Sequence, residues 1–260
     1  MAAPRWIETG HGAPALLFLH GISGGAAGAA AILPGLTPPG WRGLAWDMPG
    51  YGASAAISPV DFDAWADAVV ALLDAAGLAR AVLVGHSLGG MIALHTAARA
   101  PERVAGLVLA CCTPAFGAAG GARQQAFLAR RLGPLDEGAD MRALAVELIP
   151  TMVGPGGDPQ LVGAAVDLMA AIAPDSYRAA MHALVRFDRR AALAALTMPA
   201  LVVTGRHDSV STPAVVARMA ERLPDARYLE LDAGHLLPYE APRAFAAAVR
   251  AFLADRIAVT

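Results

Sequence analysis

The stretch "VLVGHSLGGMIAL", residues 82–94, decides the fold. An apolar run enters it, a polar His-Ser pair bracketed by glycines interrupts it, and an amphipathic run leaves it. Glycine weakens strands and helices alike, so its use at this junction requires a local reason. Gly85-His86-Ser87-Leu88-Gly89 fits G-x-S-x-G, in which a sharp strand-to-helix turn lifts the serine hydroxyl out of the sheet. Glycines two before and two after the serine remove side chains that would clash inside the turn, and Gly90 adds clearance for the helix. The helix that starts here aims unpaired N–H groups at the same spot, where they can hold negative charge. The motif alone is a weak signal; between a buried strand and a helix it is a strong one.

Outward from this junction, short apolar runs recur at 15–19, 43–47, 81–85, 104–111, 200–205 and 227–231, each followed by glycine or a polar turn. They are continuous rather than alternating, which predicts strands covered on both faces, as in a parallel sheet. Helical patterns lie between them. "DFDAWADAVVALLDAAG" (61–77) spaces apolar residues at three and four, carries acids in its first turns and stops at Gly77. Residues 91–101, 213–224 and 242–256 behave alike. The alternation predicts an α/β fold with a doubly wound, mostly parallel sheet. From Pro114 to Leu196 the rhythm breaks: helix-like blocks at 122–132, 139–150, 159–172 and 175–186 follow one another without a strand. A structureless loop of that length is improbable inside a compact domain. The expected division is a core formed by 1–113 and 197–260, with 114–196 as a helical cap.

Bulk properties narrow the function classes. The chain has 260 residues, of which 56% are hydrophobic, enough for one large α/β domain with a sizeable core. Its most apolar runs, "ALLFL" (15–19) and "LVLACC" (107–112), fall far below the roughly 18 residues of a membrane-spanning helix. "MAAPRWIETG" has neither a basic start nor an apolar segment, which points to a cytoplasmic protein. The net charge is −2, with no long run of one sign, and nothing calls for nucleic acid or a membrane surface as partner. All twenty basic side chains are arginine, which removes any catalytic-lysine mechanism. Cys111 and Cys112 are adjacent, a poor geometry for a disulfide, and read as buried small side chains. With no Cys-x-x-Cys or Cys/His cluster, no zinc site is expected, and the chemistry calls for no cofactor.

Ligands of open parallel sheets bind beyond the carboxyl ends of the strands. The polar residues just after the apolar runs are His20, Asp47, Ser87, Asp208 and His235. A serine, an acid and a histidine from distant parts of the chain therefore meet at one edge, in the order Ser87, Asp208, His235. A serine alcohol needs a base to attack a carbonyl. His235, in a loop opened by Gly234, can supply it, and Asp208 can fix the imidazole tautomer. Asp232, three residues before His235, is the rival acid, although it lies too close in sequence to reach round the ring easily. Asp208 could instead cap the following helix, but Ser211 or Thr212 suits that role better before Pro213.

The segments "LFLHGISGG", "WDMPGYGASA", "VLVGHSLGGM", "APERVAGLVL", "PALVVTGRHDSV" and "AGHLLPYEAPRAF" stand in the order and at separations similar to those of the α/β-hydrolase superfamily. The resemblance covers essentially the whole chain, least well over 114–196, and is greatest to the 3-oxoadipate enol-lactonase and small carboxylesterase branch. It implies the α/β-hydrolase fold, with a cap inserted after the sixth strand region. It also implies an oxyanion hole made by the backbone N–H groups of Ile22 and Leu88, worth about 3–4 kcal/mol per donor in well-studied hydrolases. From the family, His20 is expected to brace its loop by hydrogen bonds. His86 is expected to pack or bond within the elbow, and Asp47 with "MPGYG" to organise backbone near the site. Arg206 and His207 read as loop scaffolding, Met91 as core, and His95 and His182 as ordinary packed or surface histidines. Phe116, Phe127, Met152, Met169 and Tyr177 fit an acyl pocket and helical packing equally well.

The implied reaction is hydrolysis of a carboxylic ester or lactone, a small molecule, through an acyl-enzyme. Serine at the elbow disfavours dehalogenase and epoxide-hydrolase chemistry, which use aspartate there. Leu236, where ring-cleavage C–C hydrolases usually carry tryptophan, lowers that alternative without removing it. A cofactor-free lyase and a non-enzymatic ligand-binding member of the fold also remain open. Arg130, Arg131, Arg178 and Arg186 are candidates to receive a substrate carboxylate.

Overall fold

The computed structural model of the chain describes residues 2–116 and 121–257, without the side chain of Arg123. Its strands are β1 (Trp6–Gly10), β2 (Ala15–Leu19), β3 (Arg42–Trp46), β4 (Ala81–His86), β5 (Val104–Ala110), β6 (Ala200–Gly205) and β7 (Ala226–Leu231). They form one sheet in the order β1-β3-β2-β4-β5-β6-β7. Every pairing is parallel except that of β1, which runs antiparallel to β3 on the edge, with Trp6 opposite Trp46. The six apolar runs read from the sequence coincide with β2 to β7 to within a residue. β1 has no such signature, because it is an edge strand whose side chains alternate between half-buried and exposed.

The helices are α1 (Ala26–Ala29), α2 (Leu33–Leu36), α3 (Phe62–Ala75), α4 (Leu88–Arg99), α5 (Ala122–Asp136), α6 (Met141–Leu148), α7 (Pro159–Ala170), α8 (Pro174–Leu184), α9 (Pro213–Ala220), α10 (Leu237–Glu240) and α11 (Pro242–Arg256). Successive strand side chains point to opposite faces, and both faces are covered. Leu17, Leu83, Leu107 and Leu109 pack with Trp65, Val69 and Leu72 of α3 and Ile92 of α4. Leu16, Phe18, Val82, Val84 and Val108 pack with Leu33 of α2 and Phe245, Val249 and Phe252 of α11. Each such side chain, wholly withdrawn from water, contributes about 1.5–3 kcal/mol. That two-sided burial is why the strands read as unbroken apolar runs.

Helix ends follow local chemistry. Asp61 caps α3 by accepting from the Ala64 N–H at 2.8 Å, and the chain turns out of α3 at Gly77 with φ +69°. Among the described residues no helix is long and apolar enough to cross a membrane. The helices α5 to α8 lie between β5 and β6. The insertion therefore follows the fifth strand of this sheet, not the sixth as expected. A single antiparallel strand, β1, precedes β2, and β6 comes only after the helices. Residues 117–120 of the expected 114–196 segment lie outside the described residues.

Candidate active site

Ser87 stands between β4 and α4 with φ 52° and ψ −118°, a left-handed conformation that L side chains rarely adopt. Its N–H donates to the Ala110 carbonyl at 2.9 Å, which ties the turn to β5. The turn is too tight for side chains. A Cβ on Gly85 would lie 2.4 Å from the Gly89 carbonyl oxygen, and one on Gly89 would lie 2.0 Å from that of Leu19. One on Gly90 would lie 2.6 Å from Cys112 Sγ, so all three glycines are required by close approach. α4 begins at Leu88, three residues earlier than its apolar periodicity indicates, because these glycines form its first turn.

The hydroxyl of Ser87 lies 2.9 Å from Nε2 of His235, and Nδ1 of the same ring lies 2.9 Å from Oδ2 of Asp208. The carboxylate accepts at Nδ1–H, which leaves Nε2 free to accept from the serine. The other oxygen of Asp208 accepts from the N–H groups of Val210 (2.7 Å) and Ser211 (2.8 Å). Burial alone would raise this carboxyl's pKa. The hydrogen bond and charge of His235, helped by the two N–H donors, outweigh it and hold the pKa below the ordinary value. Asp208 and His235 are buried, whereas Ser87 is half-buried. The three side chains read from the sequence as the reactive set are thus brought together from the ends of β4, β6 and β7. Asp232, the rival acid, bonds instead to His207 at 2.9 Å on the exposed side of the loop.

The loop after β2 closes the other side. A Cβ on Gly21 would be 3.2 Å from Ser87 Cβ, so this loop lies in close contact with the elbow. His20, wholly buried, braces it as expected: its Nδ1–H donates to the Gly21 carbonyl at 2.7 Å, and Nε2 accepts from the Met48 N–H at 3.1 Å. Asp47 does the organising work read from its position, accepting from Ala26 N–H at 2.8 Å and Ala53 N–H at 3.0 Å. Among the described residues, the backbone N–H groups of Ile22 and Leu88 have no hydrogen-bond acceptor.

His86 bonds within the elbow, its Nε2–H donating to the His235 carbonyl at 2.7 Å. Burial, then the neighbouring His235, pushes its pKa down to about 3, so the ring is neutral at physiological pH. Cys111 and Cys112 are both buried and free. Cys111 Sγ, His235 and Asp208 present donor atoms within 4.8 Å of one another, the one such grouping among the described residues. Burial and then the Asp208 charge push the Cys111 thiol well above its ordinary pKa, and the histidine and carboxylate are already bonded to each other. Cys111 is a protonated packing neighbour, as its reading as a small buried side chain implies.

A cavity of about 730 Å³ adjoins the site between α1, α7 and the start of α11. Gly21, His86 and Leu236, each one residue from a group discussed above, face it together with Ala27, Gly28 and Leu168, but Ser87 and His235 do not. None of Phe116, Phe127, Met152, Met169 and Tyr177 lines it. Phe116 and Phe127 pack edge-on with ring centroids 4.6 Å apart, and Met169 and Tyr177 are wholly buried in the core. His95 is a packed histidine, held at 2.8 Å from both Asp63 and Arg189, and His182 is exposed. Of the four arginines, Arg130 and Arg186 are exposed and Arg178 pairs with Asp136. Arg131 turns inward over the Phe127 ring, 5.2 Å from its centroid, and its Nε is buried without a partner. The hydroxyls of Tyr177 and Tyr51 are likewise buried and unpaired. Burial raises the Tyr177 pKa and the nearby Arg131 lowers it in part, which places the two together.

Sequence reasoning missed Glu240, Gly154 and the backbone role of Met152. One Glu240 oxygen accepts from the N–H groups of Gly154 (2.7 Å) and Gly234 (2.9 Å), and the His235 N–H donates to the Met152 carbonyl at 2.7 Å. Two of these contacts, Gly154 to Glu240 and His235 to Met152, join residues more than eighty apart, and no local pattern announces them.

Comparison with known proteins agrees with this fold. The alpha/beta hydrolase fold family matches residues 14–242. A pimeloyl-[acyl-carrier protein] methyl ester esterase of Vibrio campbellii is 32% identical over 96% of this chain and 98% of its own length. The dihydrolipoyllysine-residue acetyltransferase component of the acetoin cleaving system of Pseudomonas putida is 33% identical over 96% of this chain. The chain spans only 66% of that relative's length. The crystal structure of the enol-lactonase from Burkholderia xenovorans LB400 superposes with a TM-score of 0.87 at 26% identity, covering 96% of both chains. With the serine elbow, the sheet order and a match over most of the sequence in agreement, the chain belongs to the alpha/beta hydrolase fold family.

Proposed function

We propose that the protein hydrolyses a carboxylic ester or lactone through an acyl-enzyme, with Ser87 as nucleophile, His235 as base and Asp208 as its orienting acid. The carrying observation is the unbroken relay of two 2.9 Å hydrogen bonds from hydroxyl to imidazole to carboxylate. His235 Nε2 takes the hydroxyl proton as Ser87 Oγ attacks the carbonyl carbon, and Asp208 stabilises the imidazolium. The tetrahedral oxyanion is held by the free N–H groups of Ile22 and Leu88. Collapse expels the alcohol, which leaves with the proton from His235. Water, deprotonated by the same ring, then attacks the acyl-serine and releases the acid. The chain's likeness to a methyl ester esterase and to an enol-lactonase supports this bond class.

In the same reading, 114–196 acts as the cap on a core of 1–113 and 197–260. Arg131, whose Nε is buried without a partner and whose charge lies beside Tyr177, receives an acidic group of the substrate.

Ser87→Ala tests the proposal. It should abolish turnover of p-nitrophenyl acetate, and with it the adduct that a fluorophosphonate probe forms at Ser87, while the circular dichroism spectrum is unchanged. Undiminished ester cleavage by the variant removes Ser87 from the mechanism. A wild-type protein that takes no label favours a binding role, and activity on ring-cleavage dienones or cyanohydrins without esterase activity favours carbon–carbon chemistry.

A further inference from the structure

We infer that Glu240 is a positioning residue that fixes the loop of His235 against the α5–α8 insertion, so that the aim of the base depends on a turn outside the sheet. The inference rests on the reading of His235 as the base. The loop carrying His235 leaves β7 as Asp232-Ala233-Gly234 and has no strand or long helix to hold it. On the core side it is tied by His207 N–H to the Ala233 carbonyl and by His86 to the His235 carbonyl, and on the insertion side by three further bonds. The Met152 carbonyl accepts from His235 N–H, and a single Glu240 oxygen accepts from Gly234 N–H on one side and Gly154 N–H on the other. Residues 152–154 of the insertion are thereby bonded to the base itself and, through Glu240, to the residue before it.

The fit leaves no slack. A Cβ on Gly234 would sit 2.4 Å from Gly154 N and 2.6 Å from the Met152 carbonyl oxygen. One on Gly205, at the end of β6, would sit 2.1 Å from the Gly234 carbonyl oxygen. The backbone of the His235 loop is therefore pressed between β6 and the insertion. Glu240 is the side chain that registers the two, because a single carboxyl oxygen has two lone pairs and accepts both N–H groups at once. Its other oxygen is buried without a partner, so among the described residues the hydrogen bonds of this side chain are the two to Gly154 and Gly234.

Glu240→Leu, which keeps the bulk and removes the acceptor, tests this against Glu240→Gln, whose amide oxygen can still accept both bonds. The expected result in Glu240→Leu is a kcat for p-nitrophenyl acetate at least tenfold lower with KM changed less than threefold. Fluorophosphonate labelling of Ser87 should slow by the same factor. Glu240→Gln should stay within about fivefold of the wild type. Wild-type kinetics in Glu240→Leu overturn the inference, as does a loss confined to KM or an equal loss in both variants. Amide hydrogen exchange on the unmodified protein covers the case in which Glu240→Leu fails to fold. Gly154 and Gly234 should be protected like strand amides, and exchange at the rate of open loops overturns the clamp. A wild-type protein that neither cleaves esters nor takes label defeats the proposed function and not the clamp, which the exchange data still read.

Discussion

Acidification should unfold this protein in part through His86. The unfolded chain takes up a proton on this ring at the ordinary value of 6.5, whereas the folded protein resists it until about pH 3. The main cause is burial, which strips the imidazolium of water, followed by the neighbouring His235. Between those two values the unfolded state binds more protons, so stability falls as the pH drops below about 6.5 and the loss continues to about 3. At 1.36 kcal/mol per unit, the interval from about pH 6.5 to 5 removes about 2 kcal/mol through this group alone. His86→Gln removes the titration while its amide can still donate to the His235 carbonyl. Urea unfolding of both proteins across that interval is the assay. His20 and His95, whose pKa values burial also lowers, contribute to both proteins and cancel in the comparison. The wild type should lose about 2 kcal/mol more than the variant. Parallel stability curves would show that His86 is not held neutral by its surroundings, and the reasoning would fail.

Two further outcomes follow from the site. Asp208→Asn should lower kcat by about three to four orders of magnitude through loss of the imidazole's orientation and charge balance. The protein should remain folded, because the amide oxygen can still accept from Val210 and Ser211; kinetics and thermal melting together check this. Arg131→Gln should raise KM for an ester bearing a free carboxylate by about 10–100-fold, the loss of one hydrogen bond to a charged group. It should also remove any preference for that ester over its neutral amide counterpart, and an unchanged preference in competition assays would free Arg131 of the role.

The parts of this structure that could be read from sequence are those fixed by local pattern. β2 to β7 are buried on both faces and announce themselves as apolar runs, and α11 carries its own periodicity and Pro242 at its start. The elbow is legible because its glycines are steric necessities within a few residues. The relay is legible because parallel strands deliver their trailing residues to one edge. What the sequence hides depends on distant neighbours. β1 is half-exposed and takes its place from pairing with β3, and α1, α2 and α10 are too short to show a period. The inward turn of Arg131 is set by packing on Phe127, and the role of Glu240 by a backbone contact from the insertion.

The pairing of β5 with β6 sets Leu107 opposite Ala200 and so closes a chain segment of about ninety residues. Contacts that span so much sequence are slow to form, since the loop's entropy is lost before the ladder repays it. Until that ladder zips, the hydroxyl of residue 87 has neither imidazole nor carboxylate within reach. Regain of ester turnover after dilution from denaturant should therefore lag a far-ultraviolet signal, which is dominated by helices that form locally.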